Sequence, residues 1–240
     1  MDELTLEIGG LRSAIVTHHP DVADVVARRY AGIPLVRPPD WRIEAGVRPE
    51  GVVALEDVVV RPAGGSRRLE IERHDFLATL DLDGHTGTLQ LGAIDHIAID
   101  TFLRVTYSLA LLQVGALLVH AASLGRAGRA WLFPGPSGSG KTTLTRLSTD
   151  ADLLSDEISI VRVDADGPRC YGSPFWGDLG RPGENRAVPL AAIHFLRHAD
   201  RHTRGAAHRA ARADRAAAQR PVLRDRARPG RPRARGHRRC

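Results

Sequence analysis

The chain has 240 residues, room for one large domain or two small ones, and its formal net charge of +6 with a pI near 10.2 would suit a nucleic-acid binder if that charge were evenly spread. It is not: residues 199–240 hold 14 of the 34 basic and 3 of the 28 acidic residues, leaving residues 1–198 with 20 basic against 25 acidic side chains, a net of −5. Two cysteines, Cys170 and Cys240, exclude a disulfide framework and a cysteine-rich metal site, and fit a reducing cytoplasm.

The first residues, Met1-Asp2-Glu3-Leu4, lack the basic and apolar regions of a signal peptide. From there to about residue 95 the pattern predicts a β-rich region. Residues 4–8, 13–17, 52–60, 69–72 and 76–82 carry β-branched or alternating apolar side chains. Asp83-Gly84 and Thr86-Gly87 predict a turn into a further strand over 88–91. One helix interrupts the strands, over 22–30, with Asp21 as its N-cap and Val22, Val25 and Val26 on one face. His18-His19 has no partner at metal-ligand spacing and reads as structural.

A second helix is predicted over 97–114, where Ile99, Phe102, Leu103, Val105, Leu109, Leu111 and Leu112 are too dense for a surface helix and imply burial on several sides. Gly115 ends it. No Asp, Glu, Lys or Arg falls between Val105 and Leu124, but Thr106, Ser108, Gln113, Gly115 and His120 interrupt the run, and Asp100 and Arg104 flank it. A buried helix followed by a buried strand fits this better than a membrane span. That strand, over 116–121, is followed by a turn over 124–128 and a second strand over 129–133.

The second strand runs into Gly135-Pro136-Ser137-Gly138-Ser139-Gly140-Lys141-Thr142, a full Walker A phosphate-binding loop. Lys141 is the only lysine in the chain; every other basic side chain in that count is arginine. A compact ammonium on a flexible stem reaches between phosphates where a planar guanidinium has a different shape, so position 141 asks for something more than positive charge. The context is right: an apolar strand precedes the loop, and Thr143-Leu144-Thr145-Arg146-Leu147 begins a helix after it. Backbone N–H groups of such a loop face the phosphates. The Thr142 hydroxyl suits Mg²⁺, which takes oxygen ligands.

Leu153-Leu154-Ser155-Asp156-Glu157 is an apolar strand ending in two carboxylates, with Asp156 only fifteen residues after Lys141. That spacing excludes most nucleotide-driven motors and switches. Strands over 151–154 and 158–163, a hairpin turn over 164–167 and a last strand over 188–196 follow. After about residue 198 the sequence is Arg, Ala, Pro, Gly and His, with Val222 and Leu223 its only large aliphatics. Such a stretch cannot bury enough apolar surface to offset the entropy of ordering. It reads either as a disordered basic arm that grips phosphate backbones or as the translated wrong frame of a GC-rich gene. Three regions result: 1–95 β-rich, 96–198 around the phosphate loop, and 199–240 an Arg/Ala/Pro-rich tail.

The short interval between the loop and the acidic strand resembles the catalytic domain of the HPr kinase/phosphorylase family, where an Asp-Asp pair closely follows the phosphate loop. Leu117-Leu118-Val119-His120-Ala121-Ala122-Ser123 is similar to that family's strand with a His-Ala motif. The segment from Tyr171 to Gly183, with Phe175, Trp176, Asp178 and Arg181, looks like one found in uncharacterised relatives. The likeness covers roughly residues 117–196. It implies an α/β fold in which a β-rich N-terminal region precedes a P-loop domain on a mixed sheet, acting as an ATP- and Mg²⁺-dependent serine kinase in the cytoplasm. By the same likeness Gly135, Pro136, Ser137, Gly138, Ser139, Gly140, Lys141, Thr142 and Thr143 bind the nucleotide. Thr142, Asp156 and Glu157 hold the metal, Asp156 accepts the serine proton, and His120 faces the nucleotide.

Arg181 could neutralise charge on the transferring group, and Asp178 or Glu184 could add a metal ligand. Phe175 and Trp176 read as packing a loop over the site. Glu157 stands where the family has its second aspartate, and the glycine-rich signature of the well-studied enzymes is absent. The implied acceptor is the serine of a small protein or peptide, with no membrane partner and with homo-oligomer formation left open. Two rival readings stand beside this one. The first is a phosphoenolpyruvate carboxykinase-like reaction on a small molecule, since that family's loop has the same pattern. The second is a non-catalytic nucleotide-binding module whose basic tail holds nucleic acid.

Overall fold

In the computed structural model, which describes residues 1–30, 38–48, 57–64 and 67–197, thirteen strands and three α-helices are present among the described residues. β1 (Asp2–Ile8) and β2 (Leu11–Thr17) form a hairpin whose two-residue turn, Gly9-Gly10, has positive φ at both positions. α1 (Pro20–Tyr30) leads on to β3 (Trp41–Val47), which pairs parallel with β2. β4 (Val59–Pro62), β5 (Arg68–Arg73), β6 (Phe76–Asp81) and β7 (Thr86–Leu91) form an antiparallel meander, and β7 joins β3 in parallel. The result is a mixed seven-stranded sheet in the order β1-β2-β3-β7-β6-β5-β4.

Strict alternation of buried and exposed residues along β3 and β6 shows that this sheet packs on one face. Ile43, Ile71, Phe76, Leu80, Leu89 and Leu91 from that face meet Val22 and Val26 of α1 and Ile99, Phe102 and Leu103 of α2 (His96–Ala110) in one apolar cluster. The Asp95 carboxylate caps α2 by accepting the N–H groups of Ile97 and Ala98. The helix tightens into a 3₁₀ turn over Leu111–Val114 and stops at Gly115, whose φ of 72° lies in the left-handed region.

The second sheet is built on β8 (Ala116–Arg126), with β9 (Arg129–Pro134), β10 (Asp152–Ser155), β11 (Ile158–Asp164), β12 (Gly167–Tyr171) and β13 (Ala187–Ile193). α3 (Lys141–Leu147) lies between β9 and β10. The pairings run β8-β11-β12-β13-β9 and return from β9 to β8, so five strands close a circuit. A small second core of Ala121, Leu132, Leu154, Cys170 and Val188 fills it. Ala116, Ile160 and Phe175 join the large cluster instead, which unites the β-rich N-terminal part with the second sheet.

Several sequence expectations shift. α1 begins at Pro20, so Asp21 sits in the first turn rather than at the cap; proline suits that place because its missing N–H would go unused there. Thr86 and Gly87 belong to β7, and the strand β3 was not foreseen. The 97–114 helix is α-helical only to Ala110. β8 continues to Arg126, with only Ala127-Gly128 turning, because β9 and β10 both pair with its second half. α3 starts at Lys141 rather than Thr143, and β13 ends at Ile193 rather than at 196. Most of the expected strand over 52–60 lies outside the described residues, as does the whole tail from 199; β4 covers the described end of that strand from Val59. Among the described residues only His96–Val114 is long and apolar enough to cross a membrane, and half of it is buried inside the fold.

Candidate nucleotide site

β8 is the element on which the site is assembled. Along one of its edges β10 pairs from Asp152 opposite Gly125 to Ser155 opposite Ser123, and the register resumes in β11 with Ile158 opposite His120. β10 and β11 are therefore one strand interrupted at Asp156-Glu157. Along the other edge β9 ends with Pro134 opposite Ala121 and opens into the glycine-rich loop. The loop and the acidic pair thus leave the sheet on either side of the same two residues. The Ala121 N–H donates to the Glu157 carbonyl at 3.0 Å, and the His120 carbonyl accepts from Gly135 N–H at 3.5 Å. Since only the seven residues of α3, about two turns, a short turn and the four residues of β10 separate them in sequence, the fifteen-residue spacing between Lys141 and Asp156 is enough.

The loop is shaped by close approach. A Cβ on Gly135 would stand 2.5 Å from Ser139 Oγ, and Gly138 and Gly140 take left-handed backbone with φ of 77° and 95°. Ser139 Oγ is buried without a hydrogen-bond partner. Lys141 is 7% exposed and its Nζ donates to the carbonyls of Gly135 at 2.9 Å and Pro136 at 3.0 Å. Burial lowers its pKa, and the charges of Glu157 and Asp178 work against that fall. Pro136, Ser137, Gly138 and Thr143 are exposed.

Asp156 is 3% exposed, and its two oxygens accept the backbone N–H groups of Gly177 at 3.0 Å and Leu179 at 2.9 Å. It therefore holds the tip of the loop that follows β12. Between those two residues Asp178 is exposed and its carboxylate accepts the Thr142 hydroxyl at 3.3 Å. Glu157 is more open: it faces His120, with Nε2 at 3.5 Å and each side chain about a third exposed. Its carboxyl is held below the ordinary range, chiefly by the hydrogen bond from His120, with the charges of His120, Arg104 and Lys141 adding to it and burial opposing.

The remaining expectations divide. Arg181 is exposed and makes no ion pair or side-chain hydrogen bond among the described residues, and Glu184 pairs with Arg186 at 3.0 Å rather than reaching Thr142. Phe175 is fully buried, edge-on to Tyr30, while Trp176 stacks under the Arg29 guanidinium 3.5 Å from its ring centre. Both hold the loop to the end of α1, as packing residues do. His18 is exposed and His19 lies 3.9 Å from Asp21, and no three His, Cys, Asp or Glu side chains gather as a metal cluster among the described residues.

The sequence reading missed a buried ion network behind the site. Arg29 grips Asp100 through Nε and Nη2, the Tyr30 hydroxyl donates to the same carboxylate, and Arg104 lies 4.0 Å from it. Asp100 and Arg104, four apart on an otherwise apolar helix, were the available signal. A scan against models of known protein families finds no match, and neither does a search of curated proteins.

Proposed function

We propose that this chain is an ATP-dependent serine kinase of the HPr kinase type, with a P-loop domain fold of that kind, transferring the γ-phosphate of Mg-ATP to a serine hydroxyl of a small protein or peptide in the cytoplasm. The observation that carries the reading is the convergence of the Walker A loop and the Asp156-Glu157 pair on His120 and Ala121 of one strand. A cradle for phosphates and a carboxylate beside it are what phosphoryl transfer asks of a protein.

The residues present fit such a nucleotide. Ser139 Oγ is an orphaned donor inside the loop, and the missing Cβ of Gly135 makes the space in which that hydroxyl sits. Mg-ATP would supply the phosphoryl group, and Mg²⁺ its charge neutralisation. Lys141 would exchange the carbonyls of Gly135 and Pro136 for phosphate oxygens, and Thr142 with Asp178 would offer the metal a hydroxyl and a carboxylate. Of the two carboxylates after β10, Glu157 is the accessible one and is ionised at neutral pH, so we assign it the serine proton. Asp156, whose oxygens are both engaged by backbone N–H groups, positions the 177–179 turn; this replaces the expectation that Asp156 itself is the base.

The test is transfer of label from Mg-[γ-³²P]ATP to a serine-peptide library by the full chain and by Lys141→Ala. Label in phosphoserine with the parent chain and none with Lys141→Ala is expected. Equal labelling by both would sink the assignment. ATP binding without transfer, joined to salt-sensitive nucleic-acid affinity, would favour the non-catalytic module instead.

A further inference from the structure

β1 closes one side of the seven-stranded sheet, and its outer edge has no strand beside it among the described residues. Which backbone groups stand on that edge follows from the hairpin. Across a two-residue turn the flanking pair, here Ile8 and Leu11, exchanges both N–H and C=O bonds, so the even-numbered residues of β1 bond to β2 and the odd-numbered ones turn outward. The β2 side agrees: Arg12, opposite Glu7, turns its carbonyl away from β1 and accepts the Asp40 N–H at 2.8 Å. Glu3, Thr5 and Glu7 therefore present their N–H and C=O groups to the open edge, and no loop or turn backbone among the described residues bonds to them. Leu6, Glu7 and Ile8 also line a cavity of about 190 Å³ whose other lining includes Ser173, Pro182 and Asn185. A space over one face of a strand touches alternate residues, whereas three in succession mean that this one meets β1 edge-on.

The edge is acidic. Arg12, the cation opposite Glu7, is committed to Asp40 at 2.7 Å, which leaves Glu7 without an ion pair among the described residues, and Glu3 shares an exposed contact with Arg42 at 3.1 Å. A second copy of β1 does not suit it. Antiparallel pairing about Thr5 would set Glu3 against Glu7 twice, and like charges directly opposite are destabilising. What suits it is a β-branched residue with an arginine two places to either side. Residues 199–240, with 14 basic and 3 acidic side chains, hold one such stretch, Arg220-Pro221-Val222-Leu223-Arg224, which also contains the tail's only large aliphatics.

Val222 set opposite Thr5 places Arg220 and Arg224 opposite Glu7 and Glu3, and the match holds for either strand direction. Arg220, Val222 and Arg224 then supply the backbone bonds, while Pro221, with no N–H to give, falls where none is needed. Such a stretch requires no core of its own, because the edge provides its backbone partners. The chain from Arg197, the last described residue, to Arg220 extends to roughly 75 Å, further than a folded body of this size is wide.

We propose that residues 220–224 add to the outer edge of β1 in the same chain as an eighth strand, tethering the basic tail to the N-terminal sheet. The inference does not depend on the phosphoryl-transfer reading.

Backbone amide exchange in D₂O, read by NMR on the full chain at low salt, tests it, since the N–H groups of Thr5 and Glu7 face solvent unless a strand covers them. Their exchange in the parent chain should be at least tenfold slower than in Arg220→Glu/Arg224→Glu, whose changes lie outside the described body, and should not vary with protein concentration. Val222→Pro leaves every charge in place and removes the N–H owed to Thr5, so it should release both amides as well. Equal exchange in the parent and charge-reversed chains, or protection that survives Val222→Pro, would overturn the proposal. Protection that survives the charge reversal and grows with protein concentration would give the edge to a second copy and overturn it equally.

Discussion

Replacing Asp156 with asparagine tests the division of labour between the two carboxylates. In the parent chain both Asp156 oxygens accept backbone N–H groups inside a nearly closed environment. Asparagine keeps one acceptor and turns a donor toward the other N–H, so either Gly177 or Leu179 loses its partner. A hydrogen bond to a charged group contributes about 1.5–3 kcal/mol, and a buried N–H left unsatisfied costs about 1–3 kcal/mol. Removing a buried charge offsets part of that loss. The net expectation is a loss of about 2 kcal/mol, a sizeable share of the roughly 5–15 kcal/mol that holds a domain folded. Asp156→Ala, which strands both N–H groups, should lose more. Urea unfolding followed by far-ultraviolet circular dichroism gives both values. A loss below about 0.5 kcal/mol for Asp156→Asn, within the scatter of ordinary surface changes, or an alanine variant no worse than the asparagine one, would refute the anchoring role.

Other consequences can be checked directly. A Cβ on Gly183 would stand 1.7 Å from the Leu154 carbonyl oxygen, a backbone atom that cannot rotate aside, so Gly183→Ala should lose at least about 3 kcal/mol in the same unfolding assay. Asp178→Ala should weaken Mg²⁺-dependent ATP binding about ten- to hundredfold while leaving metal-free binding nearly unchanged, as read by a fluorescent ATP analogue. Glu157 has a folded pKa below its ordinary value, so its contribution to stability is complete above the ordinary carboxylate range and is lost as pH falls through the folded value. Glu157→Gln should therefore flatten the acid limb of a stability–pH curve, and an unchanged limb would contradict the His120 pairing. Cys170 is fully buried and its thiol is pushed up to about 11 by burial, so a Cys240→Ser chain should react with a thiol reagent at pH 8 only after denaturation.

What the sequence disclosed was local. The glycine-rich loop is contiguous, its glycines and single lysine are set side by side by the chain, and the apolar run before Asp156 marks a buried strand by composition alone. The hairpin at 164–167 and the density of the 97–114 helix were legible for the same reason. What stayed hidden depends on partners distant in sequence. Leu124 and Gly125 look like turn residues, yet they are strand because β9 and β10 pair with them from both sides. The pairing of Arg29 with Asp100 spans 71 positions and joins two helices whose own patterns do not mention each other. The role of Asp156 could not be told from that of Glu157 in sequence, since adjacent carboxylates differ only in which one the 177–179 backbone covers. β3 is different in kind: Trp41, Ile43 and Ala45 alternate with Arg42, Glu44 and Gly46, a period of two carried by the local sequence itself.

The closed circuit around β8 also governs how the molecule can meet copies of itself. The outer side of β10 is occupied, since the Ser173 and Glu184 N–H groups donate to the carbonyls of Leu154 and Leu153. In that sheet the opening half of β8, on its β9 side, is then the main stretch of described strand without a strand neighbour. The seven-stranded sheet, by contrast, ends at β1 and β4 with no further described strand beside them. Unpaired edges are where chains template one another into aggregates. Any tendency of this protein to polymerise, or to swap strands between copies, should therefore start from its N-terminal sheet and leave the glycine-rich loop intact within the assembly.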